Sequence, residues 1–514
     1  MSTTRHQSRA LPALGDISPD ATSRRDPSSP DPSRSGSNDV EGAPAPKLHV
    51  VTFGCQMNKY DSELVEGRFR KTGYVTTDRM DDADVILFNT CSVRDHAEER
   101  TWSWVGELKK VKRERPDLVV GIMGCMAQRV EDEVFKRAGH VDLVAGTRQF
   151  HLLPTMVEEL KARRAQPERF QAKELRLLAT DMAEDVPVDR SGEEYAGGLH
   201  AHLAVMRGCD LSCTYCVVPK TRGGVRSRPI EELVAEARWY VSQGVRVLTL
   251  LGQTVNSYGE DFQAPADGAA TQWTGRQGRP SLADLLRALQ EIEGLARIRL
   301  ITLHPSYVTR ALAEAIRDCD KVDRFLPLPA QAGSDDVLRR MKRGYTLELY
   351  RARVALLREV VPDIELGSDW IVGFCGETDE DFEGSVAFLE EQGFALNYIF
   401  KYSPRPDTRA AERYEDDVPE AVKKERHRRL LEAAERTQRG RLERFRGLGV
   451  AVFVESVAER DERVLLGRTH HGQPVSFQGP PHLVGTNVQV RIEETTAYGM
   501  VASLLDVDAA PLER

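Results

Sequence analysis

The sequence has no apolar run approaching the ~20 residues that a membrane-spanning helix needs. Its first residues lack the apolar stretch of a secretory signal, so the expected location is the cytoplasm. Positive charge is not in excess. The net charge of −9 gives no hint of a nucleic-acid partner, although a local basic patch is enough for one. Cysteine is sparse, eight in 514 residues. In a long cytosolic chain disulfides are a poor default, and metal or redox chemistry is the better reading of those thiols. No internal repeat is visible. The length is too great for one ordinary core and suggests about three domains.

Residues 1–46 are rich in Ser, Pro, Asp and Arg and hold almost no large apolar side chain, which predicts a disordered tail. From Lys47 the pattern changes. KLHVVTFG (47–54), DVILFNT (84–90), LVVGIMG (118–124) and VDLVAG (141–146) read as buried strands alternating with helices, a parallel α/β domain over 47–165. Residues 166–196 are charged and weakly patterned and read as a linker. Six strand–helix units follow within 197–436, expected to form a partial (βα)6 barrel with chemistry at the C-terminal strand ends. The Gly/Ala/Pro-rich stretch 262–280 reads as a surface loop. Residues 417–446 read as a highly charged helix. Five short strands within 437–508 fit a small β-barrel of the oligonucleotide-binding kind.

The strongest chemical signal is RGCDLSCTYCVVPKTRGG (207–224), directly after the first barrel strand. Its C-x3-C-x2-C spacing lets Cys209, Cys213 and Cys216 wrap a single iron–sulfur cluster from one loop. Three thiolates on a [4Fe–4S] cluster leave one iron open, and the amino and carboxylate groups of S-adenosylmethionine (SAM) suit that iron. A structural zinc ion would want a fourth protein ligand, and the loop has none, although His200 and His202 are near. The triad and the six βα units resemble the radical SAM superfamily.

Cys55, Cys91 and Cys125 form no local motif, yet each follows a predicted strand: VVTFGC, ILFNTC and GIMGC. Strand C-termini of a parallel sheet share one edge, so three such thiols converge there. The helices that follow offer N-terminal amides to an anionic cluster. Cys319 and Cys375 have no partner set and read as structural.

Two triads and a small C-terminal barrel resemble the methylthiotransferase family, from about Lys47 to Asp506. TFGCQMNKYDSE (52–63), NTCSVRDHAEER (89–100) and GCMAQR (124–129) look like its N-terminal cluster domain. CVVPKTRGG (216–224), LLGQTVNSYG (250–259), ITLHPSY (301–307) and IVGFCGET (371–378) look like its radical SAM domain, and the tail barrel like an RNA-binding TRAM domain. GCQMN at the first cysteine is typical of the branch that acts on N6-dimethylallyladenosine (isopentenyladenosine) in tRNA. Other branches act on threonylcarbamoyladenosine or on a ribosomal-protein aspartate. The chain departs from the family at Val225 (usually Glu), Thr254 (Asn), Pro327 (His), Cys375 (Pro) and Asp407 (Gly).

The resemblance implies two [4Fe–4S] clusters and two uses of SAM. One SAM donates a methyl group to sulfur at the first cluster, and another is cleaved at the second to activate adenine C2 at position 37, next to the anticodon. It also implies a tRNA substrate, a flavodoxin- or ferredoxin-like electron donor and a sulfur donor. By barrel geometry, Gly252 and Gln253 after the second strand, then Gln331 and Ser334 after the fourth, are the expected SAM contacts. A strand-end Gly or Ser is also an ordinary turn residue. Tyr402, Ser403 and Arg405 follow the sixth strand and either line the substrate opening or form a Pro-stiffened exit loop. RNA contact is expected from RGRLERFRG (439–447) and GRTHHGQ (467–473).

Overall fold

The structure, a computed structural model, describes residues 44–92, 95–182, 195, 197–263 and 279–505. The expected tail therefore lies outside the described residues up to 43, as do 264–278 of the expected surface loop. The chain divides into two compact units, Ala45–Thr437 with His470–Gly472, and the remainder from Gln438. Among the described residues no helix is long and apolar enough to cross a membrane.

The first unit begins with a six-stranded sheet: β1 (Lys47–Thr52), β2 (Val75–Thr76), β3 (Val85–Thr90), β4 (Val119–Gly124), β5 (Leu143–Ala145) and β6 (Leu177–Ala179). Its order is β2-β1-β3-β4-β5-β6, and every pairing is parallel. β3 and β4 are buried along their whole length, which is why VILFNT and VVGIMG read as near-continuous apolar runs. Alternate residues serve opposite faces. Val85 and Leu87 pack with Val65 and Phe69 of the helix Gln56–Lys71 and with Leu153 and Val157 of the helix Leu153–Arg164. Ile86 and Phe88 pack on the other face with Val105 and Leu108 of the helix Asp95–Glu114. Each such buried side chain contributes about 1.5–3 kcal/mol. Gly121 leaves room for its cross-strand neighbours, since a Cβ there would lie 2.3 Å from Leu143 Cδ1 and 2.7 Å from Leu87 Cδ2.

Four strands were expected here and six are found. β2 and β6 are edge strands of two and three residues, too short to show an alternation. β6 lies within the stretch 166–196 that reads as a linker from sequence. Its Leu177–Ala179 pairs with Leu143–Ala145.

The second layer holds β7 (His200–Ala204), β8 (Met206–Arg207), β9 (Arg226–Ser227), β10 (Val247–Leu251), β11 (Arg297–Leu300), β12 (Phe325–Pro327), β13 (Glu365–Val372) and β14 (Leu396–Lys401). β7, β10 and β11 form one parallel sheet and β12, β13 and β14 another. An Ile298–Val322 bridge and a Leu303 N–H to Pro327 C=O hydrogen bond (3.3 Å) connect them. Six parallel strands in sequential order alternate with helices, as the sequence implied. Several of the helices start at the caps expected of Ser and Thr: Thr309, Ser334, Thr346 and Thr378 each accept a backbone N–H of the first turn. The first barrel strand is shorter than the expected 202–208. β8 instead pairs antiparallel with β9 and closes the base of the cysteine loop.

The C-terminal unit is a closed barrel ordered β15-β16-β17-β19-β18, with β15 (Gly449–Ala458), β16 (Asp461–Thr469), β17 (Pro474–Gln478), β18 (Asn487–Thr495) and β19 (Met500–Leu504). The strict alternation in β18 puts Val488, Val490 and Ile492 inside with Val452, Leu465, Phe477 and Met500.

Candidate metal centres

Cys55, Cys91 and Cys125 sit directly beyond the C-terminal ends of β1, β3 and β4, three neighbouring strands. Two glycines make the approach possible. Gly54 (φ +118°) passes so close to Cys91 that a Cβ would lie 2.6 Å from its Cβ and 3.2 Å from its Sγ. Gly124 (φ +96°) runs against Asn89 Oδ1 and Thr90 C=O, at 2.5 and 2.7 Å from such a Cβ. Cys55 caps the helix Gln56–Lys71 and Cys125 opens the helix Cys125–Val130. Asn58 ties the Cys55 and Cys91 turns together by donating to the carbonyls of Phe53 (2.8 Å) and Thr90 (2.9 Å). Cys55 Sγ contacts Asn58 Oδ1 at 3.5 Å. Burial pushes the Cys125 thiol up, and Arg222 works against that shift.

Arg222 belongs to the barrel layer, in KTRG at the end of the helix Val218–Arg222. Its guanidinium donates to Asp61 Oδ2 (2.8 Å) and Asn58 Oδ1 (3.2 Å). Arg207 lies 3.6 Å from the other Asp61 oxygen. The Asp61 side chain is fully buried and that of Arg222 is 4% exposed. Thr147 Oγ1 donates to Thr221 C=O (2.6 Å) and Arg148 donates to Arg222 C=O (3.3 Å), so the first sheet grips this short helix by its backbone. Sequence reasoning missed Asp61, Asn58 and Arg222. The readable signal was a carboxylate at 61 on the apolar stripe of its helix, with Met57, Leu64 and Val65 at helical spacing.

Cys209, Cys213 and Cys216 lie on the loop between β8 and β9. The loop is closed at its root, where Cys209 N–H donates to Gly223 C=O (3.0 Å). Gly208 (φ +77°) packs on Gly224, whose carbonyl oxygen would lie 2.0 Å from any Cβ. The three thiols are near enough for a charge on Cys213 or Cys209 to raise Cys216, which burial already pushes up to about 12. Burial also raises Cys209, against the Thr254 hydroxyl 3.4 Å from its sulfur. Arg343 Nη1 reaches Cys213 Sγ at 3.3 Å. Among the described residues no three His, Cys, Asp or Glu side chains converge as a single-ion site requires. A four-iron cluster seats each thiolate on its own iron and does not require that convergence. Both triads are free thiols on strand-end or loop backbone, so their donor chemistry fits clusters.

The expected SAM residues have structural duties of their own. A Cβ at Gly252 would meet Met206 Cγ at 2.6 Å. Gln253 Oε1 accepts Gly208 N–H at 2.5 Å and so fixes the start of the cysteine loop. Gln331 is buried and left-handed (φ 68°), a costly state for a residue that is not glycine. Ser334 caps the helix Asp335–Met341 and hydrogen-bonds Asp381, so its hydroxyl is committed. Cys319 and Cys375 are buried, and burial raises both thiols, Cys319 to about 11. Tyr402 is buried, and Arg405 lies near enough to Cys91 to feel its charge. Asp407 takes φ 66° and lies 3.6 Å from Arg129, which makes a two-oxygen pair with Glu98. In the C-terminal unit Arg446 pairs with Glu443 and Arg468 with Glu455.

A partial parallel barrel with a C-x3-C-x2-C loop after its first strand defines a radical SAM enzyme. The Radical SAM superfamily model matches residues 203–389, and that of Uncharacterized protein family UPF0004 matches 47–146. The chain is 37% identical to the tRNA-2-methylthio-N(6)-dimethylallyladenosine synthase of Rhodopirellula baltica, over 90% of this chain and 97% of that one. It is 39% identical to the enzyme of the same name from Acetivibrio thermocellus, over 89% and 91%. The chain belongs to the family of tRNA-2-methylthio-N(6)-dimethylallyladenosine synthases. It shares its fold with the radical S-adenosylmethionine methyltransferase TsrM of Kitasatospora setae, solved with cobalamin and a [4Fe–4S] cluster, at TM-score 0.50 and 14% identity over 71% of this chain and 77% of that one. As a radical SAM enzyme the chain uses a [4Fe–4S] cluster and SAM.

Proposed function

We propose that this protein inserts a methylthio group at C2 of N6-dimethylallyladenosine at position 37 of tRNA, using two [4Fe–4S] clusters. The observation that carries the reading is the pair of thiol triads, one beyond the first parallel sheet and one on the loop after the first barrel strand, with Arg222 reaching from the barrel layer to the first triad. Cys209, Cys213 and Cys216 hold the SAM-cleaving cluster, and Cys55, Cys91 and Cys125 hold the sulfur-handling one. The clusters and SAM supply radical chemistry, which breaks an aromatic C–H bond that side-chain acids and bases cannot.

The chain's own residues bind and orient. Gly252, Gln253, Gln331 and Ser334 line the SAM position, Gly252 by its bare backbone and Ser334 by its main chain, since its hydroxyl is already committed. Asn58, Asp61 and Arg222 hold the first triad in shape. Tyr402, Ser403 and Arg405 border the adenine's entry, which Arg405's nearness to Cys91 supports. The functional division is 47–165 for the first cluster, 166–196 as a connection that lends β6 to the first sheet, 197–436 for SAM cleavage and 437–508 as a TRAM-type RNA footing. Arg439, Arg441, Arg444 and Arg446 supply phosphate contacts there. A one-electron donor of the flavodoxin or ferredoxin kind and a separate sulfur donor complete the reaction, in the cytoplasm. Nucleoside mass spectrometry of tRNA from cells with and without the gene tests the reading. The 2-methylthio nucleoside should vanish on deletion, with its unthiolated precursor accumulating. Unchanged tRNA nucleosides would reject it.

A further inference from the structure

We propose that Arg343, assisted by Thr254, sets the reduction potential of the barrel cluster, a role that rests on Cys209, Cys213 and Cys216 holding it. Arg343 follows the helix Asp335–Met341 and turns inward. It is 7% exposed. Nη1 donates to Cys213 Sγ (3.3 Å) and Nε to Tyr345 OH (3.4 Å). The guanidinium lies 5.4 Å from the Tyr345 ring centroid. Tyr345 OH in turn donates to Ala330 C=O (2.7 Å), which anchors the assembly to the end of the fourth barrel strand.

Among the described residues no carboxylate pairs with Arg343. A guanidinium stays charged in a protein, and a buried charge without a counter-charge is costly. The neighbours capable of negative charge are thiols and phenols, and of these a thiol bound to iron must ionise. Arg343 is therefore a permanent cation placed for the cluster. The first triad differs. Its buried cation, Arg222, is neutralised by Asp61 at 2.8 Å.

Thr254 Oγ1 lies 3.4 Å from Cys209 Sγ. A coordinated thiolate has no proton, so there the hydroxyl donates. Reduction adds one electron to the cluster and no proton. The extra negative charge is stabilised by a cation and by donors at the sulfurs, which raises the potential. Arg343 and Thr254 thus ease electron uptake from a weak one-electron donor.

The test is an EPR-monitored titration with dithionite, itself oxidised as the cluster is reduced, on the anaerobically reconstituted full chain carrying Cys91→Ala. Iron should fall to about four per chain in that background, from two clusters to one. A chain that keeps its full iron there counts against the first-triad reading, and the titration then follows the signal that SAM perturbs. Arg343→Met should make the cluster about tenfold harder to reduce, a downward shift of about 59 mV for one electron. Arg343→Lys should recover much of this, and Thr254→Val should shift it less in the same direction. SAM dissociation constants are measured alongside. Unchanged potentials in fully loaded Arg343→Met and Thr254→Val overturn the proposal, as does weaker SAM binding at an unchanged potential, which would make Arg343 a clamp for the SAM carboxylate. If Arg343→Met loads no cluster, Thr254→Val decides by the same criterion.

Discussion

Replacing Arg222 by methionine keeps the stem and removes the charge that joins the barrel layer to the first sheet. Asp61 would then be a fully buried carboxylate whose remaining cationic neighbour among the described residues is Arg207, at 3.6 Å. Breaking a buried pair from one side costs about 3–5 kcal/mol, because the remaining charge has lost its solvent and its partner. A chain with several domains does not unfold in one step, so a local measurement is the right one. Amide hydrogen exchange on the iron-free protein should show the helix Gln56–Lys71 opening more than about a hundredfold more often, since each tenfold is about 1.4 kcal/mol. Asp61→Leu together with Arg222→Met removes both charges and should restore most of the lost protection. In the reconstituted protein Arg222→Met should also weaken iron retention at the first triad, whose Cys125 feels that charge. Exchange in Arg222→Met within about threefold of the parent would refute the reasoning. So would a double variant that opens as readily as the single.

Replacing Cys209, Cys213 and Cys216 together by alanine should lower the iron content from about eight to about four per chain, and full iron would remove that triad from the ligand set. Asp407 is left-handed, a backbone state that favours glycine. Asp407→Gly should therefore melt higher than Asp407→Ala, by about 1 kcal/mol of stability, and the reverse order would show the Arg129 pair to matter more than the backbone. His304 is buried, and burial with Arg343 nearby lowers its pKa to about 3. The folded chain keeps the ring neutral while the unfolded chain protonates it near 6.5, so its contribution is complete above that pH and is lost as pH falls toward 3. Between pH 6.5 and 5 the iron-free protein should lose about 2 kcal/mol through this residue. Amide exchange around residue 304 in His304→Gln should lack that share, and identical pH profiles would refute it.

The strands that carry the site were legible because both faces of β3 and β4 are buried, leaving runs such as VILFNT and VVGIMG that no surface element would show. The cysteines followed directly, since a parallel sheet puts Cys55, Cys91 and Cys125 on one edge whatever the loops do. β6 was not legible, because three half-exposed residues paired on one side leave no periodic trace. The charged scaffold was hidden for a different reason. Arg222 and Asp61 are 161 positions apart, and Arg343 and Cys213 are 130 apart. Local pattern says nothing about which distant side chain will meet a buried charge. The proposed SAM contacts were picked only as strand ends, yet Gln253 and Ser334 carry hydrogen bonds to Gly208 and Asp381 that only the folded chain displays.

The root of the cysteine loop has a consequence for metal turnover. Gly208 rests on Gly224, Cys209 N–H is held by Gly223, and β8 pairs with β9 just outside them, all by main chain alone. The entropy of closing that loop is therefore met during folding and not when iron arrives. The frame that carries the three thiols is built from contacts that need no iron, so a cluster lost to oxygen is expected to be rebuilt without refolding the chain.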